Sequence, residues 1–128
     1  MAEPTLAEIL LALAEQDALV VRKLAGDAEV GDVLIGFHAQ QAIEKALKAV
    51  LSHAGVVFRR THDIVELLDL LTDANLPEPP HADRLDELSP YAVEMRYGLV
   101  EPGGLDRTAT ATMLDDVLVW VRSALLRL

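Results

Sequence analysis

The chain has 128 residues, enough for one domain with a hydrophobic core, and it contains no cysteine, which excludes disulfide and thiol chemistry. Hydrophobic residues make up 52% of the chain and aromatic residues only 4%, so we expect an aliphatic core, which favours packed helices over a β-sandwich. The formal net charge of −10 argues against non-specific binding to nucleic acid, and the lack of a signal-peptide pattern or a long apolar run predicts a cytoplasmic protein without a membrane segment.

The first two predicted elements are long helices. Thr5 and Glu8 have the spacing of a capping box, so a helix is predicted to begin there and to end at Gly26. A second helix is predicted from Asp32, acting as N-cap, to residue 53 or 54, with Gly55 as its stop. Both segments carry apolar residues at helical spacing, which indicates that each buries one side.

A third helix follows a short extended link. Either Thr61 or Asp63 can cap it, since both precede the apolar run "IVELLDLL" and accept hydrogen bonds well. The segment "LPEPP" at 76–80 contains three prolines, which remove backbone donors and fix φ. It is therefore predicted to be a loop.

The last third of the chain is predicted to hold two more helices. One covers 81–97 and is interrupted or restarted at Pro90, with Ser89 as the cap. The other begins at about Asp106 and runs to the end of the sequence. The fold class is therefore all-α, an up-and-down helical bundle of about five helices in a single domain over 1–128.

The second helix separates into two faces at helical spacing. The apolar face is formed by Ile35, Ala39, Ala42, Ile43, Ala46, Leu47 and Val50. The opposite face is polar and carries Gln41, Glu44, Lys45, Lys48 and Ser52, with His38 at one edge and Gln40 at the other. One interpretation is a solvated face with a Glu44–Lys48 ion pair, and the other is a surface that holds a ligand or partner.

Basic residues are concentrated between positions 45 and 62, where no acid occurs. They are Lys45, Lys48, Arg59 and Arg60, together with His53 and His62. In a strongly acidic protein such a window indicates an anion site or a docking surface, to which the N-terminus of the third helix adds a favourable dipole. The alternative is that these bases pair with nearby acids such as Asp63 and Glu66.

A third polar cluster is "YAVEMRYG" at 91–98, which contains both tyrosines of the chain. Tyr91 and Tyr97 can pack a ring while the hydroxyl bonds a partner, and Arg96 can form a fork onto a carboxylate or a phosphate. Packing against another helix is the alternative. No zinc-protease, phosphate-loop or nucleophile-elbow motif is present, so we expect no metal and no cofactor.

The segments "FHAQQAIEKALKAVL", "RTHDIVELL" and "YAVEMRYG", in that order, resemble the HEPN domain family (higher eukaryotes and prokaryotes nucleotide-binding) from about Leu34 to Val121. The resemblance implies a HEPN-like bundle that is commonly a homodimer. It also implies a small nucleotidyltransferase as partner, in some cases as a toxin–antitoxin pair, or the binding of a nucleotide or other phosphate ligand.

The ribonuclease branch of that family uses an arginine followed, after four to six residues, by a histidine. In this sequence, the positions five to seven residues after each arginine contain no histidine, and all four histidines precede Arg96. A non-enzymatic binding role is therefore favoured, and the alternative is a metal-independent endoribonuclease with a degenerate site, for which Arg96 and His62 are the candidate catalytic residues. The candidate ligand-binding residues are His38, Gln41, Lys45, Lys48, Arg59, Arg60, His62, Tyr91, Arg96 and Tyr97.

Overall fold

The computed structural model describes residues 2–92 and 104–127, and these form the all-α bundle that the sequence predicts. The elements in chain order are α1 (Leu6–Leu24), α2 (Asp32–His53), α3 (Ile64–Asp73), a 3-10 helix (Leu85–Leu88) and α4 (Arg107–Leu125). Residues 89–92 are helical as well. None of the described helices is long and apolar enough to cross a membrane.

The centre of the bundle is α2, which packs against α1, α3, α4 and the 3-10 helix. All members of its predicted apolar face are buried. Three of them are alanines, and α1, which packs against α2, buries three alanines of its own, Ala7, Ala14 and Ala18. Small residues on both sides let the two helices approach closely. Leucine, isoleucine and valine from the other helices complete an aliphatic core.

Local sequence signals position most of the helix ends. The capping box of α1 is present, with Glu8 N donating to Thr5 Oγ1 (3.1 Å) and Thr5 N donating to Glu8 Oε1 (2.9 Å). Asp63, rather than Thr61, is the N-cap of α3 and accepts from Val65 N at 3.0 Å. Asp106, where the last helix was predicted to begin, is the N-cap of α4.

The prediction that Asp32 caps α2 is wrong. The N-cap is Gly31, and Asp32 is the first residue of the helix. The Asp32 carboxylate is turned instead toward Arg107 at the start of α4, whose Nε donates to Oδ1 at 2.8 Å. The other guanidinium nitrogens of Arg107 donate to the carbonyls of Ala25, Asp27 and Val30 in the α1–α2 loop. One side chain thus joins α4 to the loop and to α2.

The chain between α3 and Pro90 also differs from the prediction of a helix over 81–97. Residues 81–84 form turns, and His81 has a φ of 60°, in the left-handed region that a helix does not use. Its Nε2–H donates to Asp116 Oδ2 on α4 at 2.7 Å. Ser89 is the C-cap of the 3-10 helix and not the predicted N-cap, since its φ of −54° and ψ of −40° are already helical. The predicted residues 93–97 of this helix lie outside the described residues.

Candidate functional site

One narrow side of α2 remains half-exposed while most of the helix is buried. Its members follow one another at helical spacing and therefore line up along the axis. We call this side the α2 stripe, and it consists of Leu34, Phe37, His38, Gln41, Lys45, Lys48 and Ser52. Four of the candidate ligand-binding residues thus lie on a single surface.

The first cluster on the α2 stripe is organised by Asp17 of α1. Its carboxylate accepts from His38 Nδ1–H at 2.9 Å and from Lys45 Nζ at 2.6 Å. Asp17 is 13% exposed, and both partners are about one-quarter exposed. A carboxylate shared by two donors at this burial fixes the side chains of His38 and Lys45 in place.

The second cluster is organised by Glu44, whose side chain is only 5% exposed. Its carboxylate accepts from His62 Nδ1–H at 2.9 Å, Lys48 Nζ at 3.0 Å and Gln40 Nε2 at 3.1 Å. Three donors compensate the cost of burying the negative charge. The interpretation of this side of α2 as a solvated face is therefore wrong for Glu44, although the predicted Glu44–Lys48 ion pair is confirmed.

The Glu44 cluster also attaches the link between α2 and α3. Lys48 Nζ donates to the carbonyl of Thr61 at 2.8 Å, and Gln40 Nε2 donates to the carbonyl of His62 at 3.2 Å. Lys48 Nζ further lies 5.9 Å from the ring centre of Phe58 in the same link. Because Nδ1 of His62 is held by Glu44, its Nε2 is left for the solvent side of a side chain that is 57% exposed.

The remaining bases of the window are arranged differently. Arg59 forms a fork onto Glu66, with Nη2 2.6 Å from Oε1, and that ion pair raises the pKa of Arg59. His53 lies at the other end of α2, where its Nε2–H donates to the carbonyl of Arg127 at 2.6 Å. Arg60 is exposed and makes no ion pair with any residue that the structure describes.

The pairing of bases with acids is thus confirmed for Arg59 and Glu66. Lys48 pairs with Glu44, as predicted, whereas Lys45 pairs with Asp17, which the sequence did not single out for that role. Most positive charge of the basic window is consequently compensated within the molecule. That His38, Gln41 and these bases bind a ligand stays a prediction.

Beside the α2 stripe, α1 exposes a row of large apolar side chains. Leu6 is 56% exposed, Ile9 43% and Leu13 46%. Together with Asp17 they follow one another at spacings of three and four residues, which places them along one side of the helix. Because Asp17 contacts the α2 stripe, this apolar row borders it. Such contiguous apolar exposure is typical of an interaction surface.

The third predicted cluster is described only in part. The ring of Tyr91 lies on the backbone of Gly36 in α2, so closely that a Cβ at Gly36 would be 2.4 Å from it. Arg96 and Tyr97 lie outside the described residues. Within the described ranges, no three His, Asp or Glu side chains converge as a metal ion requires.

Sequence reasoning missed Asp17 and Arg107. Asp17 lies within α1 and Arg107 follows the N-cap of α4, and neither belongs to any of the motifs that the sequence shows. The signal that could have identified Asp17 is its place between apolar positions of α1, where a carboxylate requires a partner.

The sequence model of the HEPN domain matches residues 8–119, so the chain belongs to the HEPN domain family. Among solved structures, the chain is similar to ST0689, described as an archaeal HEPN homologue. The match has a TM-score of 0.67 and 24% identity, and it covers 93% of this chain and 97% of the other. That likeness supports the fold. No curated protein matches.

Proposed function

We propose that this HEPN domain protein is a binding module that docks a small nucleotidyltransferase, as one member of a toxin–antitoxin-like pair. The observation that carries the proposal is the state of the α2 stripe, where Lys45 and Lys48 are already held by carboxylates. A free phosphate would have to compete with Asp17 and Glu44 for these cations. An ordered polar surface beside exposed apolar side chains has the composition of a protein interface.

We propose that any nucleotide reaches this surface bound to the nucleotidyltransferase. Arg60 is the cation of the window that makes no ion pair among the described residues, and it lies two positions from the exposed ring of His62. These two side chains are the groups we expect to reach a phosphate that the docked nucleotidyltransferase carries. Arg60 provides charge, and His62 provides a ring nitrogen.

We further propose that two copies of the chain pair through the apolar row of α1. An antiparallel arrangement centred on Leu13 places Leu6 of one copy near Val20 of the other. Glu3, just before α1, and Lys23, near its end, are both exposed and form no ion pair within the described residues, so they are available to pair across the two copies. The apolar row and the flanking charges are therefore complementary to a second copy in one orientation.

The test is co-expression with the small nucleotidyltransferase encoded nearest to this gene, followed by size-exclusion chromatography with light scattering. We expect a complex that survives purification and that Arg60→Glu weakens. The matched control is Arg84→Glu, a charge reversal at the exposed arginine that precedes the 3-10 helix, and it should leave the complex intact. Calorimetry with ATP, GTP and AMP on the isolated chain should give flat traces. If a nucleotide binds saturably to the isolated chain and no complex with the nucleotidyltransferase forms, the proposed function is nucleotide binding and not docking.

One observation favours the second candidate function, metal-independent RNA cleavage. Glu44 holds His62 through Nδ1, which orients Nε2 outward as in the carboxylate–histidine pairs of hydrolases. The test is RNA cleavage by the purified protein in the presence of a chelator. Cleavage lost in both His62→Gln and Arg96→Ala would support this function, whereas no cleavage by the wild-type protein would exclude it.

A further inference from the structure

A cavity of about 300 Å³ lies at the end of the bundle where α2 and α4 terminate. It is separate from the α2 stripe. Its apolar lining residues are Val50, Ala54, Leu76, Pro77, Trp120 and Ala124. Its volume is at the lower end of the roughly 300–1,000 Å³ that small-molecule sites occupy.

Part of the cavity lining comes from the turn that ends α3. Asn75 adopts a φ of 58°, and Leu76 N then donates to the carbonyl of Leu71 at 3.0 Å, as in a Schellman motif. Leu76 and Pro77, which follow this turn, line the cavity together with residues from the ends of α2 and α4. Ala54 and Ala124 are too small to fill the space that remains.

The cavity is also distinguished by its charge. None of the described residues that line it is acidic, although the protein carries a net charge of −10. Arg127 lies at its edge and makes no ion pair within the described residues. His53, also at the edge, donates from Nε2 to the carbonyl of Arg127 and so ties that residue's backbone to α2.

From these observations we infer that the cavity binds a small amphiphilic anion, a carboxylate or sulfonate with a planar aromatic body. The apolar walls and the indole of Trp120 would take the body of the ligand, since aromatic rings pack favourably face to edge or offset. The guanidinium of Arg127 would take its anionic group, for which a planar donor fork is well suited. The acidic surface elsewhere on the protein would disfavour the same ligand.

The experiment uses the fact that Trp120 is the only tryptophan of the chain, so its emission reports on this cavity alone. The probes are 3-nitrobenzoate and its neutral counterpart 3-nitrobenzamide, which both quench indole emission on contact. We expect saturable quenching by 3-nitrobenzoate, with about fivefold weaker binding of the amide, the size of a partly exposed charge contact. Arg127→Gln should bring the affinity for 3-nitrobenzoate down to that for the amide.

Two further variants test the location. Ala124→Leu places a larger side chain in the cavity and should abolish binding of both probes. If that variant does not fold, Ala54→Leu, at an exposed lining position at the end of α2, should also abolish binding of both probes. Arg22→Gln, which removes an exposed arginine distant along α1, is the matched control and should bind like the wild type. Quenching that rises linearly, as with free N-acetyltryptophanamide, or equal affinity for both probes, would overturn the inference. So would an unchanged affinity in Arg127→Gln.

Discussion

His62 Nδ1 and Glu44 Oε1 lie 2.9 Å apart, joining the link before α3 to the middle of the central helix. The carboxylate is nearly inaccessible to solvent while the imidazole is more than half exposed. Glu44 therefore fixes the positions of His62 and Lys48, although its own side chain is nearly inaccessible to solvent.

Replacing Glu44 with alanine is expected to destabilise the protein by about 3 kcal/mol, because Lys48 and Gln40 lose a shared buried acceptor. Urea denaturation followed by circular dichroism measures this. Glu87→Ala, which removes the exposed i,i+3 pair with Arg84, is the control and should cost no more than about 0.5 kcal/mol. Equal losses in the two variants would show that the Glu44 network contributes no more than a surface pair.

Arg107→Lys should lower the free energy of unfolding by about 2 kcal/mol even though the charge is kept. A lysine has one ammonium group and cannot reach Asp32 and the carbonyls of Ala25 and Val30 at the same time. The measurement is the midpoint of chemical denaturation. Arg122→Lys, at an exposed arginine that pairs with Glu15 on α1, is the matched substitution. If it loses as much as Arg107→Lys, the multiple donor contacts are not the cause.

Gly36→Ala should destabilise the fold despite the better helix propensity of alanine, since the new methyl group would meet the ring of Tyr91 at 2.4 Å. Overpacking of this kind costs about 1–3 kcal/mol. Gly26→Ala, where nothing lies within 4 Å of the added carbon, is the control and should be close to neutral. The double variant with Tyr91→Ala should show a smaller loss from Gly36→Ala than the single one, and full additivity would argue against the contact.

The apolar row of α1 gives a prediction about mass in solution. The wild-type chain is expected to be a dimer by light scattering at micromolar concentration, and Ile9→Gln combined with Leu13→Gln should produce a monomer with an unchanged helical spectrum. Val57→Gln, at an 89% exposed valine in the link between α2 and α3, should remain dimeric. A monomeric wild-type protein, or a dimer in every variant, would contradict dimerisation through the apolar row of α1.

The capping box of α1 should weaken in acid. Hydrogen bonds from the Thr5 backbone and side chain lower the pKa of Glu8. A carboxyl whose pKa is lower in the folded state adds stability above its ordinary pKa of about 4.3 and loses it as the pH falls through the lowered value. The stability difference between the wild type and Glu8→Gln should therefore shrink between pH 7 and pH 3. A constant difference across that range would contradict the assignment.

The starts of α1, α3 and α4 were predictable from the local sequence. Thr5, Asp63 and Asp106 each cap the helix that follows, because the hydrogen bond involved spans only two or three residues. The amphipathic pattern of α2 likewise identified its buried side. Neither kind of signal depends on contacts that are distant in the sequence.

The errors arose where a distant residue competes for a local signal. Asp32 has the spacing of an N-cap, but Arg107, 75 residues away, binds its carboxylate. Glu44 falls on the polar face of α2, but the link that carries His62 folds over it. The backbone of His81 is not helical, and its ring binds Asp116 on α4. In each case the charge was visible in the sequence and its partner was not.

The position of α2 has a consequence for how the molecule opens. Every other described element packs directly on this helix, so its amides cannot reach solvent by the fraying of one neighbour. In amide hydrogen exchange, the residues between Ala39 and Leu51 should form the slowest group and exchange only through global unfolding. Residues of α3, a helix of only 10 residues that packs on α2 and on the 3-10 helix, should exchange well before them.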